Sequence, residues 1–338
     1  LNLFSQYKVT VVIPYFNSEA YIRRCLESVI SQSLTDIQII CVDDGSTDNS
    51  TNIVSSIAEN DERVILLSQP NGGAGKARNL AFDYIKGDYV LFLDADDFLS
   101  TEALSEAFSL AIEDNSDVVV MKSYAFEDGV EENYWTQKNC IRFDLLPRER
   151  KFKLSEIRKD IFSAFIWWPW DKLIKKELIK KKSLYFQELR TTNDLLFVFS
   201  AMFLASSISI TKNSLVFHRI SSSSLSVTRQ KSWTNFIQAL IAVKDFLFRE
   251  RVYCRLERDF LNYVMTFTVW QFCSLPFSSM PGVKLRYLPL IENFFGITDK
   301  QSSFFYDQNK FAIFLIITGK KREPRLIIKT LLKNFKYF

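Results

Sequence analysis

Tyr89-Val90-Leu91-Phe92-Leu93-Asp94-Ala95-Asp96-Asp97 is an apolar strand that runs straight into a cluster of carboxylates. No polar residue interrupts its first five positions, so both faces read as buried. The plan repeats toward the N-terminus. Residues 9–13 are a β-branched run ending at Pro14. Residues 37–42 are a second apolar strand, stopped by Asp43-Asp44-Gly45-Ser46, and residues 64–67 are a third. Helical patterns fill the gaps. Residues 20–32 carry Ile22, Leu26, Val29 and Ile30 at helical spacing, and residues 47–59 and 74–85 read likewise. Strands buried on both faces that alternate with helices predict an α/β fold: a mostly parallel, Rossmann-like sheet with helices on both sides.

Asn17-Ser18, Asp43 to Ser46 and Asp94 to Asp97 each directly follow a strand. Open α/β sheets bind ligands beyond the carboxyl ends of their strands, so the three polar clusters point to one shared site. Further along, strand runs at residues 118–121, 207–210 and 215–217 mix with helices. After the serine-rich stretch at 221–226, long helical patterns take over at 235–248 and 256–272. The chain therefore reads as an α/β domain over 1–220, with halves over about 1–100 and about 101–220, and a mainly helical extension over 221–338.

Carboxylates crowded at one strand end repel each other unless a cation neutralises them. Oxygen ligands suit Mg²⁺ or Mn²⁺, which bind through one or two carboxylates and substrate phosphates. Asp94, Asp96 and Asp97 fit that reading, and equally that of turn or helix-cap aspartates before Phe98-Leu99. In the second cluster, Gly45 permits a tight turn, while Ser46, Thr47 and Asp48 read as caps for the next helix. Asp44 reads as an acceptor for a base N–H or a ribose hydroxyl.

Taken together, Ile13-Pro14-Tyr15-Phe16-Asn17, Val42 to Asp48, Asn71-Gly72-Gly73 with Ala77-Arg78-Asn79, and Leu93-Asp94-Ala95-Asp96-Asp97 resemble the successive motifs of glycosyltransferase family 2. The resemblance extends more weakly through Trp170-Asp171-Lys172-Leu173, Asn193-Asp194 and Phe217-His218-Arg219. It implies a GT-A fold, a nucleoside-diphosphate sugar donor, with UDP as the expected nucleotide, a divalent metal (Mn or Mg) and inversion at the anomeric carbon. Carried over by position, Pro14 and Phe16 would line the nucleotide pocket and Asp44 would hold uracil. Arg78 and Ala95 would lie at the donor. Asp94 would face the ribose or the metal, and Asp96 would ligate the metal on the diphosphate. Asp194 fills the place of the family's catalytic base. Asn193 departs from the Glu that usually precedes it.

The residue types suit the chemistry. An inverting transfer is one in-line displacement, in which a carboxylate takes the proton of the attacking hydroxyl. The leaving diphosphate needs no acid if a metal neutralises its charge. Asp194 also reads as a cap for the helix starting at Leu195, where the helix dipole should keep it ionised. Trp167-Trp168-Pro169-Trp170 is the most aromatic patch of the chain. Trp170 is expected to wall the acceptor side, or else to join a core cluster. His218, the lone histidine, reads as packing or support rather than as a ligand.

Composition narrows the partners. The net charge of +4 demands no nucleic acid. Five cysteines without CxxC spacing read as reduced thiols of a cytoplasmic protein. No signal peptide is evident, and no apolar run is long enough to span a bilayer. That disfavours a processive synthase that extrudes its product. The segment 320–338 interleaves basic and apolar residues, as would a helix at the inner membrane surface or one packed on its own domain. A P-loop at Gly72-Gly73-Ala74-Gly75-Lys76 fails at both ends, since Pro70 stands for the first Gly and Ala77 for the Ser/Thr. The expected function is transfer of a sugar to a hydroxyl of a glycan or glycolipid acceptor. Bacterial surface polysaccharide, lipooligosaccharide or glycoprotein glycan assembly is the expected setting. The alternative is an inactive nucleotide-sugar or carbohydrate-binding module on the same fold.

Overall fold

A computed structural model describes residues 6–130, 133–137, 140–221, 232–275 and 280–320. The chain divides into two units, Leu1–Ile157 with Ala164–Ser222, and Arg158–Ser163 with Ser223–Phe338.

The first unit follows the alternation of its sequence. Its elements are β1 (Val9–Tyr15), α1 (Ile22–Ile30), β2 (Ile37–Asp43), α2 (Ser50–Ala58), β3 (Val64–Ser68), α3 (Ala74–Ala81), β4 (Tyr89–Phe92), β5 (Phe98–Leu99), α4 (Ala103–Glu113), β6 (Val118–Glu127), β7 (Tyr134–Thr136), β8 (Lys151–Phe152), β9 (Lys172–Lys175), α5 (Lys176–Lys181), α6 (Leu195–Leu204) and β10 (Ile208–Ile220). They form one sheet in the order β3-β2-β1-β4-β9-β6-β10-β5, with β7 beside β6 and β8 beside β10. Strands β1, β2, β3, β4, β6 and β10 point the same way. The reversed strand β9 lies between β4 and β6. The mostly parallel sheet is therefore as the sequence predicts.

Both faces of the sheet are covered. Val9, Val11, Ile13, Leu91 and Leu93 join residues of α1, α2 and α4 in one apolar cluster. On the alternate side of β4, Phe92 meets Phe186 and Phe197, which stack on each other at 3.9 Å. Side chains on a strand alternate in direction, so unbroken apolar runs feed both layers. Pro14 sits in a central strand, yet β4 pairs with β1 only as far as Val12↔Phe92. Its missing N–H therefore breaks no ladder on that side.

The second unit holds α7 (Trp233–Arg249), α8 (Tyr253–Cys273), α9 (Met280–Arg286), α10 (Leu288–Phe295) and α11 (Gln308–Ile317). Residues 158–163 belong to it because Phe162 packs on Phe260 and Tyr263 and the Ile161 N–H donates to Asp259. Among the described residues no helix is long and apolar enough to cross a membrane. Of the segment 320–338 only Lys320 lies within the described residues. Cys25, Cys41 and Cys140 are buried, Cys273 is half-buried and Cys254 is exposed. All five are free thiols.

Candidate active site

The loops after β1 and β2 are knitted together. Thr47 N–H donates to Asn17 Oδ1 at 2.8 Å, Asn17 N–H to Ser46 Oγ at 3.1 Å, and Glu19 N–H to Asp48 at 3.0 Å. Ser46 and Asp48 thus serve local structure, but the cap position of α2 falls on Asn49, without a side-chain cap bond, and not on Ser46, Thr47 or Asp48 as expected. Pro14 is buried at the end of β1, and Phe16 stands out beside it, 47% exposed.

Asp44 is only 3% exposed and faces the loop after β3. Its carboxylate accepts the N–H of Gly72 at 2.8 Å, the N–H of Gly73 at 2.7 Å and the amide of Gln69 at 2.7 Å. Gly45 is required here. Its φ is +77°, and a Cβ would come within 2.9 Å of Asn71 N.

Helix α3 starts where that loop ends, and it connects the rest of the site. Arg78 is 4% exposed. Its Nη2 donates to Asp94 Oδ1 at 2.5 Å and its Nη1 to Asn193 Oδ1 at 2.9 Å, with Phe186 under the guanidinium. Asn79 pairs with both backbone groups of Phe186, at 2.8 and 2.9 Å. Gly75 lets the helix approach the 187 backbone, since a Cβ there would lie 2.2 Å from Gln187 O. One helix thus ties the Asp44 loop, the end of β4 and the segment before α6.

At the end of β4, Ala95 is buried and Asp94 and Asp96 are partly exposed. Burial pushes the Asp96 carboxyl up to about 6, with the charge of Asp94 adding to it. Asp97 is buried and accepts the Arg219 N–H at 2.8 Å, and burial lifts its carboxyl well above the usual range. Arg219 donates to the Asp96 carbonyl at 3.0 Å and to Asp128 at 2.8 Å, between Tyr21 and Phe126. Among the described residues no three His, Cys, Asp or Glu side chains group as a complete metal cage. Two carboxylates at one strand end, with Asp96 pushed up by burial and by the charge of Asp94, fit a divalent cation whose shell is completed by phosphate oxygens.

Asp194 occupies the cap position of α6, yet its side chain makes no capping hydrogen bond. The capping alternative is therefore not realised. Burial pushes its carboxyl up to about 6, against the pull of Arg78 and Lys172. Desolvation outweighs these charges, yet a group at about 6 is still mostly ionised near neutral pH, as a base must be.

Trp170 is 2% exposed and does not face solvent. It stacks on Trp168 at 4.9 Å and on His218 at 4.8 Å. It takes the core place in the cluster, which corrects the expectation of an acceptor wall, and Trp168 is the partly exposed partner. Burial holds His218 down to about 4, so its ring is neutral. Next to Trp170, the buried Lys172 ammonium pairs with Asp171 at 2.5 Å and donates to the Ile166 carbonyl at 2.9 Å. Sequence reasoning missed the Arg78–Asn193 contact and the Arg219–Asp128 pair. The departure of Asn193 from its motif was the one available signal.

The sequence profile described as glycosyl transferase family 2 matches residues 10–181. Glycosyltransferase GlyG of Streptococcus pneumoniae is 32% identical over 240 residues, covering 70% of this chain and 79% of GlyG. The poly(ribitol-phosphate) beta-glucosyltransferase of Bacillus spizizenii is 32% identical over 209 residues, 60% of this chain but only 31% of that protein. The crystal structure of S. aureus TarS 1-349 in complex with UDP-GlcNAc superposes with a TM-score of 0.56 at 23% identity, covering 86% of this chain and 90% of that one. That likeness gives the GT-A fold: a parallel sheet with flanking helices, followed by a helical C-terminal region. With the profile match and the GlyG relation, the chain belongs to glycosyl transferase family 2.

Proposed function

We propose that this glycosyltransferase moves a sugar from a UDP-sugar to a hydroxyl of a glycan or glycolipid acceptor, with inversion and with a divalent metal. The observation that carries the reading is the reach of α3, from the Asp44 loop to Asp94 and to the turn before Asp194. A donor site and a base belong together in such an enzyme, and here one helix joins the candidates for both. TarS with bound UDP-GlcNAc supports a UDP-sugar donor. The poly(ribitol-phosphate) relative supports a surface-polymer acceptor.

Pro14 and Phe16 would border the nucleotide. Asp44 would order the 69–73 loop and keep a lone pair for a base N–H, since a carboxylate accepts about four hydrogen bonds. Arg78 and Ala95 would lie along the donor. Asp94 and Asp96 would hold Mn²⁺ or Mg²⁺ on the diphosphate, where the ion would supply charge neutralisation for the leaving group. Asp194 would accept the proton of the attacking hydroxyl. The reaction would take place in the cytoplasm, where the interleaved basic and apolar residues of 320–338 would meet the inner face of the membrane.

The test is UDP release from a panel of UDP-sugars, with Mn²⁺ and with excess EDTA. The reading expects release in Mn²⁺ and its loss in EDTA and in Asp96→Ala. Full activity in EDTA contradicts the metal role. Donor binding with no turnover on any acceptor favours the binding-module alternative.

A further inference from the structure

The turn that presents Asp194 is strained and clamped at once. Thr192 lies at φ +58°, a left-handed conformation that a β-branched residue avoids. Such a conformation persists only where the surroundings over-determine it. The next residue supplies the constraint. Asn193 Oδ1 accepts from Arg78 at 2.9 Å, and its carbonyl accepts the Gln187 N–H at 3.1 Å. Its Cβ faces Gly75, where an added methyl would stand 3.1 Å away. Arg78 is anchored at its other nitrogen to Asp94 at 2.5 Å. A single buried guanidinium thus touches the carboxylate after β4 and the residue directly before Asp194.

We propose that Asn193 is a positioning residue: through Arg78 it holds the strained turn so that Asp194 keeps a fixed place relative to Asp94. The inference rests on Asp194 being the base. Asn193 touches no substrate in this account. Its effect passes through the turn, so its loss falls on the rate of transfer and spares nucleotide binding.

The experiment compares Asn193→Leu, Asn193→Asp and Asp194→Asn in the full chain at pH 8. UDP with Mn²⁺ is the binding probe, by calorimetry. UDP release is followed at saturation with the UDP-sugar that the unaltered chain turns over fastest. Amide hydrogen exchange over residues 190–196 reports the turn without substrate. Asn193→Leu is expected to bind UDP normally and exchange faster in the turn. It should release UDP on the order of 100-fold more slowly, the scale of a misplaced catalytic group. Asn193→Asp restores an oxygen to Arg78 and should recover most of the rate. If the leucine variant does not fold, Asn193→Ser takes its place in the same comparison. A native rate in the variant lacking the amide oxygen overturns the inference, as does equal slowness in the aspartate variant. A loss of UDP affinity that matches the loss of rate also overturns it. If Asp194→Asn is itself fully active, the base reading fails first. If Asp194→Asn is slow and Asn193→Leu is not, the positioning role alone fails.

Discussion

Asp194 is the residue on which burial and charge pull in opposite directions. The helix start, Arg78 and Lys172 favour its ionised form, and burial disfavours it more, leaving it at about 6. A base must be ionised to act, so turnover should rise as pH climbs through about 6 and level off above it. A kcat profile flat down to pH 5 would contradict this. The sequence placed Asp194 at a helix start but could not weigh desolvation, because burial depends on what packs around the turn. Trp170 failed to read correctly for the same reason: nothing in Trp-Trp-Pro-Trp says which ring goes inside. Asp44 was legible as a carboxylate at a strand end, whereas its three loop donors come from residues 25 to 29 positions away. Asp44→Ala should weaken UDP binding by roughly 1–3 kcal/mol, the cost of leaving buried donors unpaired. Unchanged calorimetric affinity would count against its role.

At the scale of elements, α3 decides the site. It is a short helix with a glycine, Gly75, in its first turn, and glycine is a weak helix former. The Gln187 carbonyl occupies the space that a side chain at 75 would need. Gly75→Ala should therefore destabilise the protein by about 1–3 kcal/mol, as overpacking does, although alanine is the better helix former. A raised melting temperature in that variant would refute the close approach. The early strands and helices were legible to within a few residues because their patterns are strong and their connections short. β10 was not. The sequence reads as two strands, at 207–210 and 215–217, yet Ile208–Ile220 runs as one strand with register shifts between Ile210 and Ser214 and between Ser214 and Val216. The polar Thr211-Lys212-Asn213-Ser214 stretch mimics a turn where the strand only bulges.

For the whole molecule, the parallel sheet follows from its both-face apolar strands. The tertiary links, Arg78 to Asn193 across 115 positions above all, have no local signature. One consequence concerns stability. His218 is held down to about 4, against 6.5 when unfolded. Below 6.5 the unfolded chain takes up a proton that the folded chain refuses, so this stability is whole above 6.5 and is lost as pH falls. Asp96 and Asp194, raised in the fold, change in the opposite sense, so the effect must be read as a difference. The stability of the native chain minus that of His218→Gln should shrink as pH drops from 7 to 4. A constant difference would contradict the buried neutral ring.

In the proposed function, donor site and base are separate groups in one site. The most direct measurement sets UDP affinity in Mn²⁺ beside the rate of UDP-sugar turnover for Asp96→Ala and Asp194→Asn. Asp96→Ala is expected to lose both. Asp194→Asn should keep native affinity and turn over at least roughly a hundredfold more slowly, the usual share of a general base. Near-native turnover by Asp194→Asn, or loss of UDP affinity in it, would contradict the account.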